Sequence, residues 1–127
     1  ADFTDAEGTT HPNDTITTDP LPPRSYAYCS DTCFKPGNIP QLKGVDLLYH
    51  EATFDNESRE RATKTFHSTA EDAATMARDA QVKRLIIGHF STKYRDLRHL
   101  HNEAKAVFPN TELALEGRRF SVERFPK

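Results

Sequence analysis

One short apolar run constrains the fold of this chain more than any other segment. Residues 84–88, Arg-Leu-Ile-Ile-Gly, are typical of a buried strand, and they lead directly into His89 and a polar loop that ends at Tyr94. A histidine that follows a buried strand lies at the carboxyl end of that strand, where open α/β sheets place their ligand-binding groups. The segment therefore predicts a sheet with a functional edge.

The remaining pattern indicates an α/β fold class. The expected strands cover residues 25–29, 45–49, 84–88, 112–115 and 119–122. The expected helices cover residues 70–80 and 97–107, and residues 57–65 are either a short helix or a structured loop. The start of the helix at 70–80 is the clearest, because Ser68 or Thr69 can cap it and the spacings from Ser68 to Glu71 and from Thr69 to Asp72 are both those of a capping box. Strands that alternate with helices in this order predict a layered α/β sheet.

Residues 1–24 differ in character from the rest of the chain. They are rich in Pro, Asp and Thr and show little apolar periodicity, so we interpret them as a loop or linker. An α/β domain is expected to begin with a strand or helix. We therefore expect residues 1–24 to belong to a preceding half of a domain, and residues 25–127 to form its carboxyl-terminal half.

Composition excludes several classes of protein. The 127 residues carry a formal net charge of -2, so no global basic field indicates a nucleic-acid partner, although a local patch would suffice. No apolar run approaches the roughly 20 residues of a membrane span, so we expect no membrane partner. Cys29 and Cys33 have no second cysteine pair with which to form a structural zinc site, and we interpret them as reduced thiols of a cytoplasmic protein.

Two residues at predicted strand ends are candidate metal ligands. Asp31 either caps a turn or acts as a carboxylate that bridges two cations. His89 is either a hydrogen-bonded structural histidine or a neutral imidazole ligand of zinc. Each residue taken alone favours the structural interpretation.

A second pair of candidates concerns acid–base chemistry. His67 directly precedes a helix amino terminus, where Ser68, Thr69 and the helix dipole favour an anion such as phosphate. The alternative is a capping segment with a surface histidine. Glu51 ends another predicted strand, and it either lies at the surface or accepts a proton from the His67 ring and so orients it.

The loop after His89 offers donors for phosphate. Ser91, Lys93 and Tyr94 carry the donors, and a solvated loop is the alternative interpretation. The surrounding sequence is locally basic through Lys83, Arg84, Arg95, Arg98 and His99. Such clusters are usually solvated, but they also help to hold polyanions.

Four short motifs in a fixed order are more specific than any of these signals alone. Ser-Asp-Thr at 30–32, His-Glu-Ala-Thr at 50–53, His-Ser-Thr at 67–69 and Gly-His-Phe-Ser-Thr-Lys-Tyr at 88–94 closely resemble ribonuclease Z, the tRNA 3′-processing endonuclease of the metallo-β-lactamase superfamily. The resemblance covers residues 25–122. It implies the carboxyl-terminal half of a metallo-β-lactamase αββα sandwich, with a mixed sheet and flanking helices.

The resemblance also implies roles for individual residues. Asp31 matches the aspartate that bridges two zinc ions, and His89 matches a histidine that binds one of them. His67 matches the proton donor near the leaving group, and Glu51 is its implied orienting partner. The substrate would be precursor tRNA, held in part by Ser68, Thr69, Ser91, Lys93 and Tyr94, and the intact enzyme would be a homodimer.

Departures from the family pattern limit what this chain is expected to do alone. Ser30 replaces the usual Gly, and Lys93 replaces the usual Arg. Lysine retains the positive charge but lacks the bidentate guanidinium fork of arginine. The metal motif His-x-His-x-Asp-His is not in the sequence. Since a catalytic zinc normally has about three protein ligands, we expect weak or no zinc binding and no RNA cleavage by the chain alone. The alternatives are another superfamily phosphodiesterase, an arylsulfatase-like hydrolase, or a non-catalytic interaction fragment.

Overall fold

A small hairpin opens the chain. In the computed structural model, which describes residues 1–124, strand β1 (Phe3–Thr4) pairs antiparallel with β2 (Thr10–His11), and the one-turn helix α1 (Asn13–Ile16) follows. The Asp5 carboxylate closes the turn, because it accepts hydrogen bonds from two backbone N–H groups and lies 2.9 Å from the His11 ring. Short regular elements therefore interrupt the expected loop at residues 3–4, 10–11 and 13–16, and residues 17–25 have no regular structure.

Four parallel strands form the main sheet. They are β3 (Tyr26–Cys29), β4 (Leu47–Glu51), β5 (Leu85–Gly88) and β6 (Thr111–Leu113), and their order in the sheet is their order in the chain. The expected α/β class is confirmed.

Helices connect these strands. The connections contain α2 (Ile39–Leu42), then α3 (Arg59–Thr65) with α4 (Ala70–Asp79), and finally α5 (Arg98–Val107). Short 3₁₀ turns at Pro36–Asn38 and Asn56–Ser58 precede α2 and α3. Crossovers of this kind are what parallel neighbours require.

Two details of the expected sheet are wrong. Within residues 1–124 the main sheet is parallel at all three of its pairings rather than mixed, because crossovers and not hairpins join its successive strands. Residues 119–122 also form no strand. Side chains hold this segment instead: the Arg84 guanidinium lies 5.4 Å from the centre of the Phe120 ring and donates a hydrogen bond of 3.5 Å to the Ser121 carbonyl.

Helices α4 and α5 cover one face of the sheet. Leu48, Leu85 and Ile87 point to this face and are fully buried with the alanines of α4 and with Leu100 of α5. The small alanine side chains allow α4 to approach closely, and the predicted capping box is present, since Thr69 and Asp72 exchange hydrogen bonds of 3.1 and 3.0 Å. Burial of these side chains stabilises each by about 1.5–3 kcal/mol relative to exposure.

The opposite face of the sheet carries tyrosines. Side chains alternate between the two faces along a strand, so Tyr26 and Tyr28 of β3 and Tyr49 of β4 lie together on this face. The rings of Tyr28 and Tyr49 stack with their centres 4.7 Å apart, while Tyr26 and Tyr28 remain exposed. In residues 1–124 no helix combines the length and the apolar character needed to cross a membrane.

Candidate active site

The register of the sheet brings three strand ends to one edge. Cys29 pairs with His50, and Glu51 pairs with Gly88. Because the strands are parallel, the residues that immediately follow them lie at the same edge. The segments after β3, β4 and β5 carry Asp31, Thr53 and His89 to this edge, and Glu51 is the last residue of β4.

The amino end of α4 reaches the same edge through a short backbone bridge. The Phe54 N–H donates to the Ser68 carbonyl at 3.3 Å, and the Ala70 N–H donates to the Phe54 carbonyl at 3.0 Å. This bridge anchors the segment that precedes α4. It therefore fixes His67 beside the end of β4.

Glu51 is the centre of the hydrogen-bond network. Its side chain is fully buried, and its two oxygens accept from five donors. The donors are the backbone N–H groups of Thr32, Thr53 and Ser68, the Thr53 hydroxyl and the His67 ring. A carboxylate buried with this many donors is held in one orientation, because it would otherwise lose hydrogen bonds that burial makes costly to replace.

His67 is oriented by Glu51. Its Nδ1 lies 2.6 Å from Glu51 Oε1, which leaves Nε2 as the nitrogen available outside the network. The ring packs edge-on against Phe54, with ring centres 6.3 Å apart. Its side chain is 23% exposed, so a substrate can reach a histidine whose position is fixed from behind.

His89 occupies the edge with a left-handed backbone. Its φ is +61°, a conformation that histidine adopts more readily than most non-glycine residues. Its Nδ1 lies 2.9 Å from the Thr53 hydroxyl, and its Nε2 lies 3.3 Å from Asp31 Oδ1. The His67 and His89 rings are stacked at 5.3 Å, so the two predicted chemical centres adjoin each other.

The separation of Asp31 from His89 suits two ligands of one cation. Two ligands of a tetrahedral zinc lie roughly 3.3 Å apart, since zinc–nitrogen and zinc–oxygen bonds are about 2.0 Å long. Both side chains are accessible, with 58% of Asp31 and 43% of His89 exposed. The donor set, one carboxylate and one imidazole, is also appropriate for zinc.

A second grouping of donor atoms overlaps this pair. One atom from each of Glu51, His67 and His89 lies within 4.8 Å of the others. A carboxylate has roughly four lone-pair sites, and the five donors to Glu51 already occupy them. We therefore regard Asp31 and His89, rather than Glu51, as the candidate metal ligands in these residues.

Ser68 and Thr69 are brought to the site but face inward. Both are fully buried. The Ser68 hydroxyl donates to the Thr32 carbonyl at 2.7 Å, and the Thr69 hydroxyl caps α4 and accepts a bond of 3.2 Å from Arg59. Their hydroxyls hold the segment around His67 in place and are not free to meet a phosphate.

The loop after His89 is tied to the end of β4. The Ser91 N–H donates to the Thr53 carbonyl at 3.0 Å, and Tyr94 Oη accepts from the Asp55 N–H at 2.9 Å. Lys93 Nζ donates to the Ser58 hydroxyl at 2.6 Å. The Lys93 ammonium also lies 5.0 Å from the centre of the Tyr94 ring, within the range of a cation–π interaction.

An open, mostly basic cleft of about 540 Å³ adjoins this loop. It is lined by Lys93, Tyr94, Arg95, Asp96, Arg98, His99 and Asn102. Arg98 forms a forked ion pair with Asp96 and holds the pKa of that carboxyl at about 2. The cleft therefore contains one ion pair, Arg98–Asp96, together with the cations of Lys93 and Arg95.

Three supporting residues were not among the predicted site residues. Thr53 contacts Glu51 and both rings, Phe54 packs on His67, and Asp55 holds Tyr94 and His99. All three directly follow His50-Glu51-Ala52 in the sequence, and this proximity to a predicted site residue could have indicated their role. His50 in the same segment is buried, and burial lowers its pKa while its Nδ1 lies 2.8 Å from the Glu51 carbonyl.

Comparison with curated proteins identifies close relatives. Ribonuclease Z of Parabacteroides distasonis is 54% identical over 122 residues, which are 96% of this chain and 40% of that protein. Ribonuclease Z of Bacteroides thetaiotaomicron is 48% identical over 125 residues, which are 98% of this chain and 40% of that protein. The chain thus spans about 40% of the length of the curated relatives that it matches. No family model matches it.

Solved structures with the same fold agree. The metallo-beta-lactamase fold protein YhfI from Bacillus subtilis aligns with a TM-score of 0.66 and 26% identity, over 72% of this chain and 37% of that one. The short form of human tRNase Z aligns with a TM-score of 0.56 and 30% identity, over 76% of this chain and 31% of that one. Over nearly its whole length the chain is therefore similar to the carboxyl-terminal part of ribonuclease Z proteins, and it has the metallo-beta-lactamase fold.

Proposed function

We propose that this chain supplies the acid–base half of a metal-dependent phosphodiesterase that removes the 3′ trailer from precursor tRNA. The observation that carries the proposal is the Glu51–His67 pair, at 2.6 Å, directly beside the Asp31–His89 pair, at 3.3 Å. A proton donor next to two candidate metal ligands is the arrangement that phosphodiester hydrolysis needs. The family name of the relatives indicates the RNA substrate.

His67 is the proposed proton donor. Its Nδ1–H donates to Glu51, and Nε2, on the opposite side of the ring, carries the proton that passes to the leaving 3′ oxygen of the tRNA. Glu51 stabilises the charged form of the ring before the transfer and preserves its orientation during it. The product is a tRNA with a free 3′ hydroxyl.

Asp31 and His89 are the proposed ligands that these residues contribute to the metal, which we take to be zinc. When bound, the metal supplies Lewis acidity to the phosphodiester and activates water. Two ligands are fewer than the three protein ligands of a typical catalytic zinc. We therefore propose that the remaining ligands lie outside these residues, and that this chain alone binds zinc weakly and does not cleave RNA.

The Lys93 loop and the adjoining cleft are the proposed path of the RNA backbone. Lys93 is held by Ser58, and Arg95 and Arg98 line the adjoining cleft. Cations along such a path attract successive phosphates without reading sequence. Ser91 and Tyr94 shape the loop, while Ser68 and Thr69 support His67 from inside.

The proposal also includes the assembly and location of the whole enzyme. We propose a cytoplasmic homodimer in which this chain's residues pack against the other part of the same polypeptide. An arylsulfatase-like hydrolase does not account for the ribonuclease Z relatives, and a fragment without any role in catalysis does not account for an oriented His67 beside two candidate metal ligands.

The test is cleavage of a precursor tRNA by the full-length protein and its His67→Ala variant. We expect kcat to fall by about 10²- to 10⁴-fold, the usual contribution of a general acid, while the affinity for tRNA is nearly unchanged. His11→Ala is the matched control, since His11 also lies 2.9 Å from a carboxylate but in the separate hairpin. An unchanged kcat in His67→Ala would remove His67 from the mechanism, and no cleavage by the unmodified protein would refute the proposed function.

A further inference from the structure

We propose that Thr53 is a positioning residue that selects one tautomer of His89, so that Nε2 of His89 is the nitrogen directed at the metal. The inference deepens the proposed function, because it assumes that His89 is a metal ligand. The hydroxyl oxygen of Thr53 makes three close contacts. Thr53 Oγ1 lies 2.6 Å from Glu51 Oε2, 2.9 Å from His89 Nδ1 and 3.3 Å from His67 Nδ1.

The hydroxyl has a single proton, and Glu51 receives it. A carboxylate accepts hydrogen bonds and donates none, so in the contact of 2.6 Å the Thr53 hydroxyl must be the donor. No other proton remains on Thr53 Oγ1. Its contact with His89 can then be a hydrogen bond only if His89 Nδ1 is the donor.

This assignment fixes the ring of His89. A neutral imidazole carries one proton, and when that proton is on Nδ1 the lone pair is on Nε2. Nε2 is the nitrogen that lies 3.3 Å from Asp31 Oδ1. A lone pair and a carboxylate oxygen at this distance repel each other unless a cation joins them, so Glu51 and Thr53 together prepare His89 and Asp31 as a pair of ligands.

The contacts of His67 are consistent with this placement of protons. Its Nδ1 proton is directed at Glu51 Oε1, at 2.6 Å, and its contact of 3.3 Å with Thr53 is the longer one. Glu51 therefore orients His67 directly and His89 through one hydroxyl. A single buried carboxylate thus sets the ring nitrogens of both the proton donor and the metal ligand.

Burial keeps the hydroxyl in this arrangement. Thr53 is 7% exposed and Glu51 is fully buried, so water cannot readily replace either partner. The Thr53 carbonyl also accepts from the Ser91 N–H at 3.0 Å, two residues beyond His89. Thr53 thus holds the loop of His89 by its backbone and the ring of His89 by its side chain.

The first test measures the tautomer of His89 in the protein with Thr53 unchanged. In the metal-free full-length protein, under conditions in which the His89 ring is neutral, ¹⁵N chemical shifts of the ring report which nitrogen carries the proton. The resonance is assigned by comparison with His89→Asn, since Asn tolerates the left-handed backbone. We expect the Nδ1–H tautomer. An Nε2–H tautomer would overturn the inference.

The second test compares two variants of Thr53. Thr53→Val keeps the shape of the side chain and removes the hydroxyl, whereas Thr53→Ser keeps the hydroxyl. We expect zinc affinity, measured by competition with a chelator, to fall about 10- to 100-fold in Thr53→Val and to be largely retained in Thr53→Ser. Thr75→Val is the control, because the Thr75 hydroxyl donates only to the Glu71 carbonyl within α4.

The two proposals fail in different ways. Zinc affinity that is unchanged in Thr53→Val but lost in His89→Asn would refute the role of Thr53 and preserve the metal site. Zinc affinity that is unchanged in His89→Asn would refute the metal assignment in the proposed function. If Thr53→Val does not fold, the tautomer of the unmodified protein and the zinc affinity of Thr53→Ser still decide the question.

Discussion

The two halves of the candidate site differ in how completely this chain builds them. On the acid–base side, Glu51 is fully buried and His67 is 23% exposed. On the metal side, Asp31 is 58% and His89 43% exposed. Five donors fix the Glu51 carboxylate, whereas the Asp31 carboxylate accepts one hydrogen bond, from the neighbouring Ser30 hydroxyl, and adjoins His89.

This difference shows which part of the chemistry depends on local structure. The residues that must be oriented before reaction are held by the network around Glu51, all of it within residues 1–124. The residues proposed to bind a cation are exposed, which fits the proposal that ligands from other segments complete the metal site. A fully satisfied buried network stabilises the fold by itself, and an incomplete exposed site does not.

The strongest test of the comparison substitutes one carboxylate on each side. Glu51→Gln replaces one carboxylate oxygen, an acceptor, with an NH₂ group, a donor. Each Glu51 oxygen accepts from at least two N–H or O–H groups, so the NH₂ group faces donors in either orientation of the amide. We expect the free energy of unfolding to fall by about 3–5 kcal/mol, as when one partner of a buried pair is removed.

Asp31→Asn is the matched change on the exposed side. We expect it to alter the free energy of unfolding by no more than about 0.5 kcal/mol, the usual range for an exposed site. Urea unfolding of both variants, followed by circular dichroism, measures the difference. Equal losses of stability would show that the Glu51 carboxylate contributes no more to the stability of the fold than the exposed Asp31 carboxylate does.

A smaller effect is expected at the junction between the two sides. Gly88 ends β5 immediately before His89, and a Cβ at this position would lie 2.5 Å from Tyr49 Oη. The Tyr49 ring must therefore shift in Gly88→Ala, at an expected cost of about 1–3 kcal/mol in the free energy of unfolding. Gly37→Ala is the control, since nothing lies within 4 Å of a Cβ there, and a similar cost in both variants would contradict the proposed clash.

The smallest effect concerns pH and the support of the Lys93 loop. Burial alone would raise the pKa of Asp55, but hydrogen bonds involving Tyr94 and His99 outweigh it and lower the pKa. A carboxyl whose pKa is lowered by folding stabilises the protein above its unfolded pKa, about 3.9, and loses that contribution as pH falls through the folded pKa. We expect Asp55→Asn to be about 1 kcal/mol less stable at pH 7.

This difference should begin to narrow as pH falls below about 4, where the unfolded carboxyl is protonated, and should continue to narrow until the native carboxyl is also neutral. Urea unfolding at a series of pH values compares the two proteins. A difference that stays constant from pH 7 to pH 2 would show that ionised Asp55 is not the stabilising species.

The periodicity of apolar residues and the positions of turn and capping residues predicted most of the fold. The strands ending at Cys29 and Gly88 and the helix capped by Thr69 lie within one or two residues of their predicted bounds, because their apolar patterns and caps are local. Residues 119–122 were expected to form a strand because their side chains alternate in polarity, but they pair with no other strand within residues 1–124. The Phe120 ring instead contacts the Arg84 guanidinium. The hairpin at residues 3–11 was missed because Asp5, a single turn-closing side chain, creates it.

The candidate site was only partly predictable. Asp31, Glu51, His67 and His89 were predicted, and they converge because parallel strands end at one edge. Which polar groups face inward was not predictable, since it depends on tertiary contacts. Ser68 illustrates this, because its hydroxyl is used by the Thr32 carbonyl, from a segment 36 residues away.

The tyrosine-bearing face of the sheet has a practical consequence for spectroscopy. The chain contains four tyrosines and no tryptophan, and three of the tyrosines, Tyr26, Tyr28 and Tyr49, lie on this one face. Ultraviolet fluorescence and near-ultraviolet circular dichroism of the chain therefore arise largely from a single surface. The stacked Tyr28–Tyr49 pair makes that surface an intrinsic optical probe of anything that covers it.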